Sequence, residues 1–194
     1  MAVIPQIEKR RALRALSETP IPREILARLA EAAHMAPSCA NNQPWRIVIA
    51  SGQEALARVK ISLTSGNYWA NKAAAIAAFV TRLDWDARLD HGRDYAFFDL
   101  GMAAMNFQLQ AVEEGLIAHP VAGFDPAAAK AALRIPEEAV VMTLVILGYP
   151  GDASHLNEKH GALESAARSR KPLDEVLALD SWDAALEPKP KTGR

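Results

Sequence analysis

The segment that most restricts the fold of this chain is residues 95–114. Phe97, Phe98, Leu100, Ala103, Ala104, Phe107, Ala111 and Val112 recur at helical spacing and cover more than one face. The spacing therefore predicts a long helix at the centre of the fold, ended by Gly115. A helix that is apolar on several sides needs neighbours on each of them. The 194 residues are 50% hydrophobic and 23% charged, enough for one well-cored domain, yet phenylalanine, tryptophan and tyrosine together reach only 6%. The core must then come from small and branched aliphatic side chains, which pack closely but provide few large anchors. Lysine and arginine total 22 against 23 acidic residues, a net charge of −1. That balance lacks the basic excess needed to neutralise a phosphate backbone, so no nucleic-acid partner is expected. A single cysteine, Cys39, excludes an intramolecular disulfide and any Cys-rich zinc module, and fits a cytoplasmic setting. No signal-peptide core and no apolar run approaching roughly 18 residues is present, so no membrane partner is expected either.

Around that helix the pattern alternates between helices and strands. Pro5 opens a helix predicted to run over 4–14, which would put Arg10 and Arg14 on one face and Arg11 a step round it. Pro22 begins a second helix with Ile25, Leu26, Leu29, Ala32 and Ala33 as its apolar stripe, stopping before Pro37. Residues 37–44, bounded by prolines and rich in short polar side chains, form a shaped loop. A strand over 45–50, a helix over 53–63 and a turn at 65–67 follow. The apolar run 73–80 reads as a buried strand, although its alanines suit a helix and periodicity does not separate the two. Residues 84–94 form a charged surface loop, Ile117–Val121 a short strand, and Asp125 with Pro126 a helix start. Residues 140–147 are the clearest strand, 155–167 are polar and partly helical, and 168–172 are a basic knot. One domain over 1–186 is expected, with a disordered tail over 187–194.

Standard catalytic motifs are missing. No G-x-G-x-x-G opens a helix, 66–72 lacks the spacing of a phosphate loop, and no G-x-S-x-G elbow is present. His155 and His160 are spaced so that they do not share a helix face, so no metal is expected. Cys39 has no flanking base and reads more readily as a small packed residue than as a thiolate nucleophile.

What survives is an ordered set of motifs. Lys9-Arg10-Arg11-Ala12-Leu13-Arg14 is followed by Ala36-Pro37-Ser38-Cys39-Ala40-Asn41-Asn42-Gln43-Pro44-Trp45. Then come Ser65-Gly66-Asn67, Gly115-Leu116, Pro120-Val121-Ala122-Gly123-Phe124-Asp125 and Arg168-Ser169-Arg170-Lys171-Pro172-Leu173. Together they resemble the nitroreductase family of flavin mononucleotide (FMN) enzymes. The first resembles the family's Arg-Arg-Ser-x-Arg opening with Ala12 in place of serine. The second resembles its Ala-Pro-Ser-Ser-x-Asn-x-Gln-Pro-Trp loop with Cys39 in place of the second serine.

The resemblance implies an α+β fold, with a mostly antiparallel central sheet flanked by helices. It also implies a homodimer whose C-terminal segment wraps the partner, with FMN at the subunit interface. Arg10, Arg11 and Ala12 would lie at the flavin phosphate and Arg14 at the pyrimidine edge. Pro37, Ser38, Cys39, Asn41 and Gln43 would reach the flavin of the other subunit. Asn67 (or Asn71 or Lys72) would touch the pyrimidine, and the backbone of Pro120, Val121, Ala122 and Gly123 would face flavin N5 and O4. Arg168 and Arg170 would return to the phosphate, where planar guanidinium groups suit a dianion. The implied reaction passes hydride from NADH or NADPH to FMN and then to a small organic acceptor, such as a nitroaromatic, quinone, enone or aldehyde, in ping-pong order. No side chain acts as acid or base in that scheme. Two other readings stay open at this point, because Ala12 and Cys39 remove polar contacts: an FMN sink or carrier on the same fold, and a flavin-free dimeric interaction protein.

Overall fold

The computed structural model describes residues 3–188, and the rest of the predicted tail, 189–194, lies outside them. In chain order the elements are α1 (Pro5–Lys9), β1 (Leu16–Ser17), α2 (Arg23–His34), β2 (Arg46–Ala50), α3 (Gln53–Lys60) and β3 (Ala75–Thr81). They continue with a small hairpin, β4 (Arg88–Leu89) and β5 (Arg93–Asp94), then α4 (Tyr95–Glu113), β6 (Ile117–Val121), α5 (Pro126–Leu133), β7 (Val140–Pro150) and α6 (Glu158–Ser165). The described chain divides into two compact units at the Glu164–Ser165 boundary.

In the first unit every strand pairing is antiparallel, and β7 is the spine. One edge of β7 carries β6, from Ile117 opposite Gly148 to Val121 opposite Leu144, while β1 pairs with the far end of β7, Leu16 opposite Pro150. Its other edge carries β3, which in turn pairs with β2. The run that sequence periodicity left undecided is a strand because both of its faces are covered. Ala75, Ala77 and Phe79 face a core shared with α2 and α4, while Ile76, Ala78 and Val80 face a second core with Val59, Trp69 and Ile135. Burial on both faces erases the polar alternation that marks a half-exposed strand. Alanines in β3 let α4 approach closely, and the few large anchors sit where layers meet: Phe79 and Phe107 cross edge to face at 5.2 Å. Gly115, at φ 72°, takes the left-handed turn out of α4.

Several boundaries differ from those expected. The helix predicted over 4–14 stops at Lys9, so Arg10, Arg11, Ala12 and Arg14 stand on an extended segment and not on one helix face. Tertiary partners outcompete the helix there. The Arg14 and Ala15 N–H groups donate to the Glu164 carboxylate at 2.9 and 3.1 Å, and the Ala15 carbonyl accepts the Gly151 N–H at 2.8 Å. Charge-assisted bonds of this kind exceed helix propensity, which is worth only tenths of a kcal/mol per residue. α3 ends at Lys60, residues 65–72 form a 3-10 segment, and the charged 84–94 stretch contains the β4–β5 hairpin. α4 is less enclosed than its sequence suggests: Phe98 is 61% exposed and Met105 44%, leaving one apolar face open.

In the second unit, described by itself, Leu173–Glu175 and Ala184–Leu186 are single 3-10 turns. Lys171 pairs with Glu175, and Leu173, Val176, Leu179 and Trp182 are exposed. Among the described residues no helix is long and apolar enough to cross a membrane.

Candidate active site

On the β6 edge of β7 three segments meet: the extended stretch before β1, the Ser65–Lys72 segment, and β6 with the turn that follows it. His119, on β6, is buried with its ring 4.6 Å from Trp69, and its Nδ1–H donates to the Leu13 carbonyl at 3.0 Å. Burial pushes the imidazole down to about 4, and the Arg14 and Arg10 cations act in the same direction, against the pull of the Leu13 carbonyl. At neutral pH it is therefore uncharged, an apolar-compatible strut tying β6 to the Arg14 segment.

Arg14 lies over the outer side of this cluster, its guanidinium carbon 5.8 Å from the Trp69 ring centre. The Arg14 Nε is buried and meets no acceptor among the described residues. A cation over an aromatic face is favourable, but it does not satisfy an N–H, so the group retains a desolvated donor. Near it, the Tyr68 hydroxyl accepts the Asn157 N–H at 2.8 Å and lies 3.2 Å from His160 Nδ1, the two rings stacking at 5.5 Å. Burial and the Arg14 charge both lower the His160 pKa.

The turn after β6 is fixed by the same segment. The Gly123 carbonyl accepts three bonds, from the Thr64 N–H and Oγ1 at 3.0 Å each and from Asn67 Nδ2 at 2.8 Å. A Cβ on Gly123 would come within 2.7 Å of Thr64 Oγ1 and 2.8 Å of Asn67 Nδ2, so only glycine leaves this lock intact. Asn67, Ala122 and Gly123 are thus brought together. Asn71 is engaged otherwise, its carbonyl accepting Lys60 Nζ at 2.7 Å, and Lys72 lies 3.7 Å from Glu18. Pro120 and Val121 end β6, where a proline without an N–H is tolerated on an edge strand.

The 37–44 loop stands apart from this cluster. It enters β2, which is separated from β6 by β3 and β7, three strand spacings of about 4.8 Å each. It also lies at the Val140 end of β7, where Thr81 pairs with Val140 and donates from Oγ1 to the Pro44 carbonyl at 2.7 Å. From Val140 to Pro150 a strand runs roughly 30 Å. Within one chain Ser38, Cys39, Asn41 and Gln43 are therefore not brought to Arg14.

The loop is nevertheless tightly defined. Ala40, Asn41 and Gln43 all sit at positive φ, 48°, 58° and 50°. Ser38 Oγ accepts the Gln43 N–H at 2.9 Å, Gln43 Nε2 donates to the Asn41 carbonyl at 2.9 Å, and the Cys39 N–H donates to Asp99 at 2.7 Å. The Asn41 side chain is left pointing from an exposed residue.

The sequence profile of the nitroreductase family matches residues 7–67 and 57–149. The chain belongs to the nitroreductase family. An Archaeoglobus fulgidus relative named as an NADH dehydrogenase/NAD(P)H nitroreductase is 31% identical over 157 residues, spanning 78% of this chain and 87% of its own. A Thermus thermophilus protein named NADH dehydrogenase is 29% identical over 180 residues, covering 76% of this chain and 86% of its own. A crystal structure of an oxidoreductase containing FMN has a TM-score of 0.82 at 29% identity over 94% of both chains. The α+β fold with an antiparallel sheet is that of the nitroreductase family. The matched stretch holds every candidate residue from Arg10 to Gly123, while Arg168 and Arg170 lie beyond it, in the second unit.

Sequence reading missed Trp69 as a platform, His119 as a buried strut and Glu164 as the carboxylate that straightens the Arg14 segment. A histidine inside an apolar strand was the available signal for His119. Nothing local marks Glu164, whose partners are distant in sequence.

Proposed function

We propose that this nitroreductase-family chain is an FMN-dependent oxidoreductase driven by NADH or NADPH, working as a homodimer with two shared sites. The observation that carries this reading is that Arg14 lies over Trp69 of the same Ser65–Lys72 segment whose Asn67 locks the Gly123 turn, the Arg14 Nε being buried without an acceptor among the described residues. A guanidinium with one desolvated N–H over an aromatic platform suits the acceptor-rich pyrimidine edge of a flavin.

When bound, FMN supplies two-electron chemistry, taking a hydride from NADH or NADPH and passing it in ping-pong order to a small organic acceptor, a nitroaromatic, quinone, enone or aldehyde. The residues of this chain bind and tune. Arg14 places a positive charge where negative charge accumulates on reduction, and neutral His119 adds no competing proton at that edge. Backbone of Pro120, Val121, Ala122 and Gly123 forms the contact surface, held in place by Thr64 and Asn67. Arg10, Arg11 and the Ala12 backbone are assigned to the phosphate, and Arg168 and Arg170 keep the same assignment from their motif. Pro37, Ser38, Cys39, Asn41 and Gln43 are assigned to the flavin of the other protomer. The substitution at Cys39 matters less than its side chain suggests, because it is the Cys39 backbone N–H that is used.

The exposed face of α4 supports the dimer. Phe98, Met102, Met105 and Leu109 follow one helical stripe, and Met35 is 75% exposed. The exposed apolar residues of the second unit suit a segment that lies against a partner. With one unpaired cysteine, a reducing cytoplasm is the assigned setting.

The test is spectroscopic. Purified protein should be yellow or become so with FMN, bleach promptly with NADH or NADPH in the absence of oxygen, and recover with a nitroaromatic or quinone. Colour that persists after NAD(P)H would make the protein a flavin carrier. A colourless protein that cannot be reconstituted would overturn the flavin assignment altogether.

A further inference from the structure

One buried ionisable group takes no part in the chemistry above. Asp99, the only acid between 95 and 112, is 0% exposed in an otherwise apolar turn of α4. Its Oδ2 accepts the Cys39 N–H at 2.7 Å, and its Oδ1 has no partner among the described residues. Asp86, between Leu83–Trp85 and β4, is built the same way. Its Oδ1 accepts the Ala87 N–H at 2.8 Å and Asn42 Nδ2 at 3.1 Å, while its Oδ2 is buried and unmatched among those residues. The two carboxyls hold Cys39 and Asn42 of the same short turn, and each acts on the other as a neighbouring acid. Each carboxyl thus spends one oxygen on the 37–44 loop and has one left over. Two carboxylates so placed repel, whereas one proton between the spare oxygens satisfies both.

We propose that Asp99 and Asp86 share a proton and together act as the positioning pair that fixes the 38–43 loop for FMN; the last step rests on the assignment of that loop to the flavin given above. The loop needs such a clamp. Three non-glycine residues at positive φ are strained and persist only where the surroundings over-determine them. Asp99 grips the backbone on one side of Ala40 and Asn41, Asp86 grips the Asn42 side chain on the other, and the shared proton joins the two grips.

Burial raises the Asp99 pKa, and the neighbouring Asp86 raises it further, against the pull of the Cys39 N–H. The charged and titratable groups on the adjoining elements are otherwise engaged. Arg82 is paired with Asp84 and Glu138, Arg88 with Asp94, and Arg46 lies over Trp85 while donating to the Trp45 carbonyl. The Cys39 thiol comes from the loop itself. Because the pair works in its protonated form, its grip is present below the pair's pKa and lost as pH rises through it.

Asp99→Asn separates this role from mere packing. Its amide oxygen still accepts from Cys39, and its N–H₂ donates permanently to Asp86, giving the clamped state without a titrating proton. Asp99→Ala removes the clamp. FMN affinity, read by flavin fluorescence quenching from about pH 6 to about pH 10, should fall with rising pH in the wild type and stay level in Asp99→Asn. Asp99→Ala should bind FMN roughly tenfold to a hundredfold more weakly even at neutral pH. Independently of flavin, the infrared spectrum of the wild type should show a protonated-carboxyl band at neutral pH that Asp99→Asn lacks. A level wild-type profile, an Asp99→Asn profile that follows the wild type, or no such band would each overturn the proposal. If the wild type binds no FMN at any pH, the flavin assignment itself fails, and the infrared band alone decides whether the proton-sharing pair exists.

Discussion

Beside β6, Arg14 is held by an assembly of side chains: Trp69 beneath it, His119 bonded to its neighbour's carbonyl, and the Glu164 carboxylate on its N–H. Beside β2, the 37–44 loop is held chiefly through backbone groups, with Asp99 and Thr81 reaching up to the Cys39 N–H and the Pro44 carbonyl. The first region gets its shape from packing, which is insensitive to the identity of loop residues but sensitive to volume and to the charge of His119. The second gets its shape from hydrogen bonds to backbone in strained conformations, which tolerates changes such as serine to cysteine at position 39. A site drawing on both can lose a side chain from one region without losing its overall frame.

Four changes test that contrast, from the largest effect to the smallest. Phe107→Ala removes an anchor that α4 and β3 share, so both regions should weaken together, with a loss of about 3–5 kcal/mol in urea unfolding. Damage to one region alone would show that they do not share a scaffold. Arg14→Glu replaces a buried donor by a charge of the wrong sign. It should weaken FMN binding a hundredfold or so, and a fully yellow, active variant would remove Arg14 from the site.

His119→Gln isolates the packed region through pH. The folded state keeps His119 neutral down to about 4, whereas the unfolded chain takes up a proton near 6.5. Between those values the unfolded state binds more protons, so wild-type stability should fall as pH drops through the window, by at most about 3 kcal/mol. The glutamine variant should lose that slope, and an unaltered slope would mean that another group causes it. Ala40→Gly addresses the strained loop. Relief of a left-handed alanine, about 1 kcal/mol, is nearly offset by the added freedom of glycine in the unfolded chain, so thermal unfolding should shift by less than about 0.5 kcal/mol. A large stabilisation would mean the loop stores more strain than its φ values imply.

Much of the fold is legible in the sequence. The 37–44 loop announces itself through two prolines and short polar side chains, α5 through Asp125 and Pro126, and β7 through its β-branched run. Residues whose partners are far along the chain were not readable. Arg10 to Arg14 carries a helical pattern, and partners on other elements, among them Glu164 and His119, pull it straight. The β3 run was ambiguous because both of its faces are buried. Phe97 and Phe98 were expected within the core but are exposed, because helical spacing does not distinguish an apolar residue facing the interior from one left open at the surface. Asp99 was overlooked because a single acid in an apolar helix carries no spacing to interpret.

The sheet that separates the two regions also sets a rule of inheritance for mixed assemblies. If each flavin draws its β6-edge residues from one protomer and its loop from the other, a mixed dimer of an Arg14→Glu chain and a loop-disabled chain sorts its lesions unequally. One site receives both defects and the other receives neither. Two inactive parents, co-expressed, should then give mixed dimers with half the sites fully active, whereas flavin held within a single chain would leave every site damaged.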